Sequence, residues 1–274
     1  FLRSRGLGAN LIPPLSLVLD DTGIYYDATR ASLLENLINA SDKLNESARL
    51  RAGALIERII EARLSKYNLK AKPLPQLPKG RRILVPGQVE DDASIKLGTS
   101  EVADNLTLLE ITRKANPAAM IIYKPHPDVE AGLRPGAVPN AKELADVVLS
   151  KADPIDAIEA VDEVWTMTSL LGFEALLRGK KVTCLGTPFY AGWGLTDDRA
   201  MPIDRRQARV DLIALVHATL IAYPRYRDPV TGLPCPVEVI VDRIENNDLP
   251  KAGIFNRSLA KLQGVFASYA FLWR

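Results

Sequence analysis

A chain of 274 residues with 47% hydrophobic and 25% charged residues has an ordinary globular composition and length for one large domain or two modest ones. Thirty-five Lys and Arg against 33 Asp and Glu leave a net charge of +2 with no strongly basic stretch, which excludes the electrostatic footprint of a nucleic-acid binder. No run approaches about 18 apolar residues, so no bilayer-spanning helix is expected. Two cysteines, Cys184 and Cys235, are too few for a disulfide scaffold and fit a reducing cytoplasm.

The segment FLRSRGLGANLIPPLSLVLDD starts without Met, and Gly6, Gly8 and Pro13-Pro14 interrupt it before a signal-like apolar region forms, so the chain reads as an excised fragment. SLVLDDTGIYYDA reads as strand, turn, strand: a hairpin. Leu33, Leu34, Leu37 and Ile38, then Leu50, Leu55, Ile59 and Leu64, repeat with helical spacing and predict two helices over 32–67. LKAKPLPQLPKG, with three prolines, marks a domain boundary. Beyond it the chain alternates: the strand RILVPG, a helix near 100–114, the strand AMIIYKPHP, a helix near 141–150, the strand EVWTM, a helix from Ser169 to Arg178 and the strand KVTCLG. That order predicts an α/β fold, a Rossmann-type parallel sheet with helices on both faces. ARVDLIALVHATLIAY and PVEVIVDRIENN read as amphipathic helices, with His217 assigned to packing.

Parallel sheets of this kind bind ligands where strands end and helices begin, and the chemically notable segments fall there. GQVEDDAS places Glu90, Asp91 and Asp92 after a strand, between Gln88 and Ser94. Its readings are a nucleophilic or acid/base carboxylate, a Glu-x-Asp metal clamp on a nucleotide diphosphate, or a solvated turn capping a helix. YKPHPD holds Lys124 and His126 on proline-stiffened chain, suited to a phosphate or to a plain surface turn. Thr168 and Ser169 start a helix whose free N–H groups attract an anion, and Glu174 follows within reach of a ribose; the alternative is an N-cap with a surface Glu. TPFYAGWGLTDDR offers Tyr190 and Trp193 on a glycine-hinged loop, to cover a base or sugar ring or to close over the core. No Walker A loop, Gly-x-Gly-x-x-Gly or Gly-x-Ser-x-Gly elbow is present, which argues against NTPase, dehydrogenase and hydrolase classes.

With these segments in order, the chain resembles the KpsC-type capsular polysaccharide biosynthesis proteins, retaining β-Kdo glycosyltransferases. The resemblance rests on FLRSRGLGANLIPPLSLVLDDTGIYYDA, GQVEDDASI, YKPHPD and TSLLGFEALLRGKKVTCLGTPFYAGWGLTDD. It implies a GT-B-like architecture with the first lobe largely missing: residues 1–75 as a remnant of the acceptor-side lobe with connecting helices, 76–205 as the CMP-sugar lobe and 206–274 as C-terminal helices. It implies Kdo transfer from CMP-Kdo, with no metal or other cofactor, to a β-Kdo linker on a lipid, alongside the capsule assembly machinery at the inner face of the inner membrane. Position by position it makes Asp92 the nucleophile. Lys124 and His126 become the phosphate contacts, with His126 catalytic, and Gln88, Ser94, Thr168, Ser169 and Glu174 become donor-binding residues. Arg3, Tyr190 and Trp193 are candidate substrate contacts. The family's acidic residues on the acceptor side precede the FLRS block, so the general base is expected upstream of Phe1. The alternatives are a non-catalytic nucleotide-binding or assembly module and a metal-dependent nucleotide-diphosphate-sugar transferase using Glu90 and Asp92.

Overall fold

Runs such as RILVP and MIIYK are apolar on both faces, as strands of a doubly covered sheet must be. Leu34, Ile38, Ala52, Leu55 and Ile59 instead repeat at helical spacing and turn one face inward. The computed structural model describes residues 14–66 and 73–249, and both patterns hold there. In chain order its elements begin with β1 (Ser16–Val18), α1 (Leu33–Asn39), α2 (Glu46–Glu61), β2 (Arg82–Pro86), α3 (Ala93–Gly98), α4 (Asn105–Ala115), β3 (Met120–Lys124), α5 (Pro127–Glu130) and α6 (Ala141–Leu144). They continue with β4 (Val147–Val148), α7 (Pro154–Glu159), β5 (Glu163–Thr166), α8 (Leu170–Leu177), β6 (Lys181–Cys184), β7 (Asp197–Asp198), α9 (Leu212–Val216), β8 (Pro224–Arg227), β9 (Pro234–Cys235) and α10 (Val237–Glu245).

The chain divides into two compact units, the larger holding Asp20–Arg63 and Lys70–Tyr223. Its six strands run in the order β4-β3-β2-β5-β6-β7, all parallel. Ile83, Val85, Ile121, Tyr123 and Trp165 of the sheet pack with Ile95 of α3 and with Leu108 and Leu109 of α4. On the other side α8 packs along β5 and β6, burying Phe173 and Leu177. Full burial of such side chains stabilises by about 1.5–3 kcal/mol each. The fold is therefore the expected α/β arrangement, with helices flanking a parallel sheet.

Helices α1, α2 and α9 belong to this same unit, whereas the sequence had assigned them to flanking segments. One reason is Glu35, which is 5% exposed. It accepts from Arg205 Nε at 2.7 Å and Arg206 Nε at 2.9 Å, while Arg206 Nη1 donates to the carbonyls of Pro188 and Ala191. Helix α1 is thereby fastened to the loop after β6.

The smaller unit joins the two ends of the chain, Phe1–Leu19 and Pro224–Arg274, with Leu64–Leu69. Its described part is an antiparallel sheet β1-β8-β9 under α10, which buries Val237, Ile240, Val241 and Ile244. Arg243 forks onto both oxygens of Asp228 at 3.0 and 2.9 Å, holding the helix to the β8–β9 turn. No helix among the described residues is long and apolar enough to cross a membrane.

Two expectations are corrected. The hairpin over SLVLDDTGIYYDA does not form: β1 pairs with β8, Ser16 opposite Tyr226. The Asp20 carboxylate captures the N–H groups of Thr22, Gly23 and Leu33, and a side chain that takes up backbone donors in this way competes with strand pairing. The helix near 141–150 stops at Leu144, because Ile121 N donates to Asp146 Oδ2 and Leu149 N donates to Tyr123 O; the β-branched Val147 and Val148 form an edge strand.

Removing Glu35 strands a buried guanidinium. Glu35→Ala is expected to lower the unfolding free energy by about 3 kcal/mol, read by urea denaturation, and a loss below about 1 kcal/mol would show that Arg206 needs no counter-charge.

Candidate functional site

Strand β2 lies between β3 and β5, and the chain winds away from it in both directions, so the topological switch point falls between β2 and β5. Open α/β sheets bind ligands at that crevice, outside the carboxyl ends of the strands. Gly87 makes the exit from β2 tight: a Cβ there would lie 2.6 Å from Tyr123 Oη and 3.2 Å from Pro125 Cα.

Gln88 bridges the crevice. It is 7% exposed; its Nε2 donates to Thr168 Oγ1 at 2.9 Å and its Oε1 accepts from Thr168 N at 2.9 Å and Thr166 Oγ1 at 3.3 Å. Thr168 Oγ1 in turn donates to Ser94 Oγ at 3.5 Å, and Ser94 Oγ donates to Asp92 Oδ1 at 2.7 Å. A polarised relay of amide and hydroxyls thus ends on the Asp92 carboxylate. Gln88 and Ser94, expected to bind the donor, are both members of this network.

The three acids of GQVEDDAS part company. Glu90 Oε1 accepts from Asn105 N at 2.9 Å, at the start of α4. Asp91 takes Arg134. Asp92, exposed, is the N-cap of α3, its Oδ1 accepting from Ser94 N at 2.9 Å. The helix-capping reading and the reactive-carboxylate reading therefore fall on the same side chain. Among the described residues no three His, Cys, Asp or Glu side chains converge as metal ligands.

At the end of β3, Lys124 is 5% exposed and its ammonium makes no hydrogen bond to a described residue. Burial lowers its pKa, opposed by the charges of Glu130, Asp153 and Glu174. His126 caps α5, its Nδ1 accepting from Asp128 N at 3.1 Å; the neutral ring is thereby assigned as the tautomer with its proton on Nε2, a donor. Asp128 Oδ2 stands 3.9 Å from Nδ1, and Asp128 Oδ1 is buried without a hydrogen-bond partner, so a counter-charge waits beside any imidazolium.

At the end of β5, Ser169 caps α8 by accepting from Leu171 N at 3.2 Å. Ser169 N donates to Thr166 Oγ1 at 3.1 Å, and among the described residues the Leu170 N–H has no acceptor, which leaves a helix-start donor for an anion. Glu174 is 2% exposed, with its charge acting on Lys124 and Arg178. It is buried where the sequence suggested either an open ribose acceptor or a surface Glu.

Of the two readings of the loop, Tyr190 and Trp193 take the one that closes over the core: both are 0% exposed. Tyr190 Oη donates to Ser169 O at 2.5 Å and presses so closely on α8 that a Cβ at Gly172 would sit 2.2 Å from it. Trp193 donates to Phe189 O and lies 5.7 Å beneath the Arg206 guanidinium. The loop closes over the core because Arg206 binds its carbonyls. Arg3 lies outside the described residues.

Sequence reasoning missed Asn105, Thr166, Asp128 and Arg134. Asn105, 0% exposed, accepts from Gln88 N and donates to Gln88 O and Gly136 O, each at 2.8 Å. As an asparagine following the helix cap Asp104, it carried no signal; Asp128 was at least within YKPHPD.

A family profile described as "Capsule polysaccharide biosynthesis protein" matches residues 48–226. The chain is 44% identical over 98% of its length to the capsule polysaccharide modification protein LipA of Neisseria meningitidis serogroup A, spanning 39% of that protein. It is 45% identical over 92% of its length to the lipopolysaccharide-processing protein LpsZ of Rhizobium meliloti, spanning 59% of it. Two solved structures of Thermosulfurimonas dismutans KpsC are similar. The beta Kdo 2,4 transferase has a TM-score of 0.80 and 37% identity, covering 89% of this chain and 77% of that one. The beta Kdo 2,7 transferase has a TM-score of 0.75 and 39% identity, covering 90% and 75%.

Asp92 can be tested for its cap separately from its chemistry. Asp92→Ala is expected to cost about 1 kcal/mol of stability, while Asp92→Asn, which keeps an acceptor oxygen at the cap, stays close to the parent; equal urea midpoints for both variants would remove the capping role.

Proposed function

Because the chain belongs to the capsule polysaccharide biosynthesis protein family, we propose that it is a retaining glycosyltransferase that moves Kdo from CMP-Kdo to a β-Kdo linker on a lipid acceptor through a covalent intermediate on Asp92. The observation that carries the reading is the relay from Gln88 through Thr168 and Ser94 to Asp92. It ties one carboxylate to the helix start that suits a phosphate.

In the first step the Asp92 carboxylate attacks the anomeric carbon of Kdo. The bond from that carbon to the phosphate oxygen breaks, CMP departs with the electron pair, and a glycosyl ester forms. In the second step an acceptor hydroxyl attacks the same carbon from the vacated face. Its proton passes to a base, and the Asp92 carboxylate is released; two inversions give retention. His126 donates from Nε2 to the departing phosphate, and the Leu170 N–H with the Ser169 end of α8 offsets its charge. Lys124 adds a buried positive charge that the charges of Glu130, Asp153 and Glu174 favour. The proposal uses no metal ion or other cofactor, and it places the chain at the inner face of the inner membrane beside the capsule assembly machinery.

The decisive measurement is intact-mass spectrometry after incubation with CMP-Kdo in the presence of a chelator, followed by mapping of the segment around Asp92. A Kdo-sized adduct on Asp92 is expected. CMP binding without an adduct, with no transfer to acceptor, would favour the non-catalytic module, and an adduct lost on chelation would favour a metal-dependent route. Asp92→Asn is expected to lose transfer and the adduct while keeping CMP affinity; parallel loss of affinity would make Asp92 a binding residue. His126→Ala is expected to weaken CMP binding about tenfold, the worth of one hydrogen bond to a charged group, and an unchanged dissociation constant would remove the phosphate role.

A further inference from the structure

The chemistry proposed for Asp92 raises an electrostatic difficulty. A 2-keto sugar acid carries its carboxylate on the very carbon that is attacked, and it must approach a loop that already holds Glu90, Asp91 and Asp92. Anions brought together in a crevice repel one another unless a cation stands between them. Lys124 and His126 serve the phosphate side in the reading above. Arg134 is the cation that the structure sets against the acidic loop itself.

Arg134 Nε and Nη2 both donate to a single oxygen, Asp91 Oδ1, at 3.1 and 2.6 Å. A guanidinium paired at full strength spans both oxygens of a carboxylate; here neither Arg134 Nη1 nor Asp91 Oδ2 has a partner among the described residues. The two side chains are 42% and 46% exposed, and an ion pair so open to water holds weakly. The backbone beneath Arg134 is fixed, by contrast. Glu90 N donates to Pro135 O at 3.3 Å, Leu133 N to Asp128 O at 2.9 Å and Asn105 Nδ2 to Gly136 O at 2.8 Å. A loosely held guanidinium therefore stands on a hydrogen-bonded loop, and its partner Asp91 is the residue next to the proposed nucleophile.

We infer that Arg134 is a specificity-determining residue which leaves Asp91 to take the carboxylate of the incoming sugar acid, so that the site selects acidic sugar donors. The inference rests on the reading of Asp92 and the α8 start given above. A guanidinium fits a carboxylate with two parallel hydrogen bonds, and the exchange replaces a single-oxygen contact with that arrangement. Asp91 then acts as the resident partner that holds Arg134 until the donor arrives. A neutral nucleotide sugar gains nothing from the exchange and leaves Arg134 where it is.

The test uses the Asp92→Asn chain, which binds donor without consuming it, and measures dissociation constants for CMP-Kdo and for CMP. Adding Arg134→Ala is expected to weaken CMP-Kdo binding about tenfold or more and to leave CMP, which lacks the sugar carboxylate, within about twofold. Adding Asp91→Asn is expected to tighten CMP-Kdo binding, because the guanidinium is released, and to have no effect once Arg134 is Ala. A purely structural pair would make both substitutions weaken both ligands, and that result overturns the inference, as does an Arg134→Ala variant that binds CMP-Kdo like its parent. If the Asp92→Asn chain binds neither CMP nor CMP-Kdo, the reading of the site itself fails.

Discussion

Three loops of the larger unit hang on one buried amide pair, Gln88 and Asn105, exposed by 7% and 0%. A buried amide left without partners costs about 1–3 kcal/mol per group, so their positions are set by the partners they must find. Asn105 spends both N–H bonds, one on Gln88 O and one on Gly136 O, and accepts from Gln88 N. Gln88 spends its side chain on Thr166 and Thr168 across the crevice. The loop after β2, the loop between α5 and α6 and the turn before α8 are thereby registered against one another. These loops carry Asp91, Asp92 and Arg134.

Legibility in the sequence followed the range of the interaction. The parallel strands and their helices were readable because apolar runs and helical spacing act over a few residues, and Ser169 was readable as the start of α8 because a cap is local too. The short edge strand β4 was lost among helix-like neighbours, because its pairing depends on Asp146 reaching back to Ile121. For Tyr190 and Trp193 the sequence left two readings open for the same kind of reason. Their loop looks open from its glycines and aromatics, and only Arg206, fixed by a glutamate 171 residues earlier in the chain, closes it over the core. Glu174 sits one turn into a helix whose start was read correctly, yet its burial depends on what α8 packs against, which no local pattern encodes.

The acids of the β2–α3 loop make the point sharply, since in the sequence nothing but position separates them. Folded, they answer to three different partners: Glu90 to an amide of α4, Asp91 to a guanidinium and Asp92 to the hydroxyl and amide of Ser94. Three neighbouring carboxylates in a crevice repel one another, and giving each its own donors relieves that repulsion. A carboxylate intended as a nucleophile must stay ionised and keep a fixed orientation while an anionic substrate arrives. Of the three, Asp92 has one oxygen held by uncharged donors and lies at the end of the relay from the α8 start. Glu90 is committed to holding α4, and Asp91 is screened by its own cation. The proposal of Asp92 as the nucleophile rests on this distribution of hydrogen bonds and on its place in the motif.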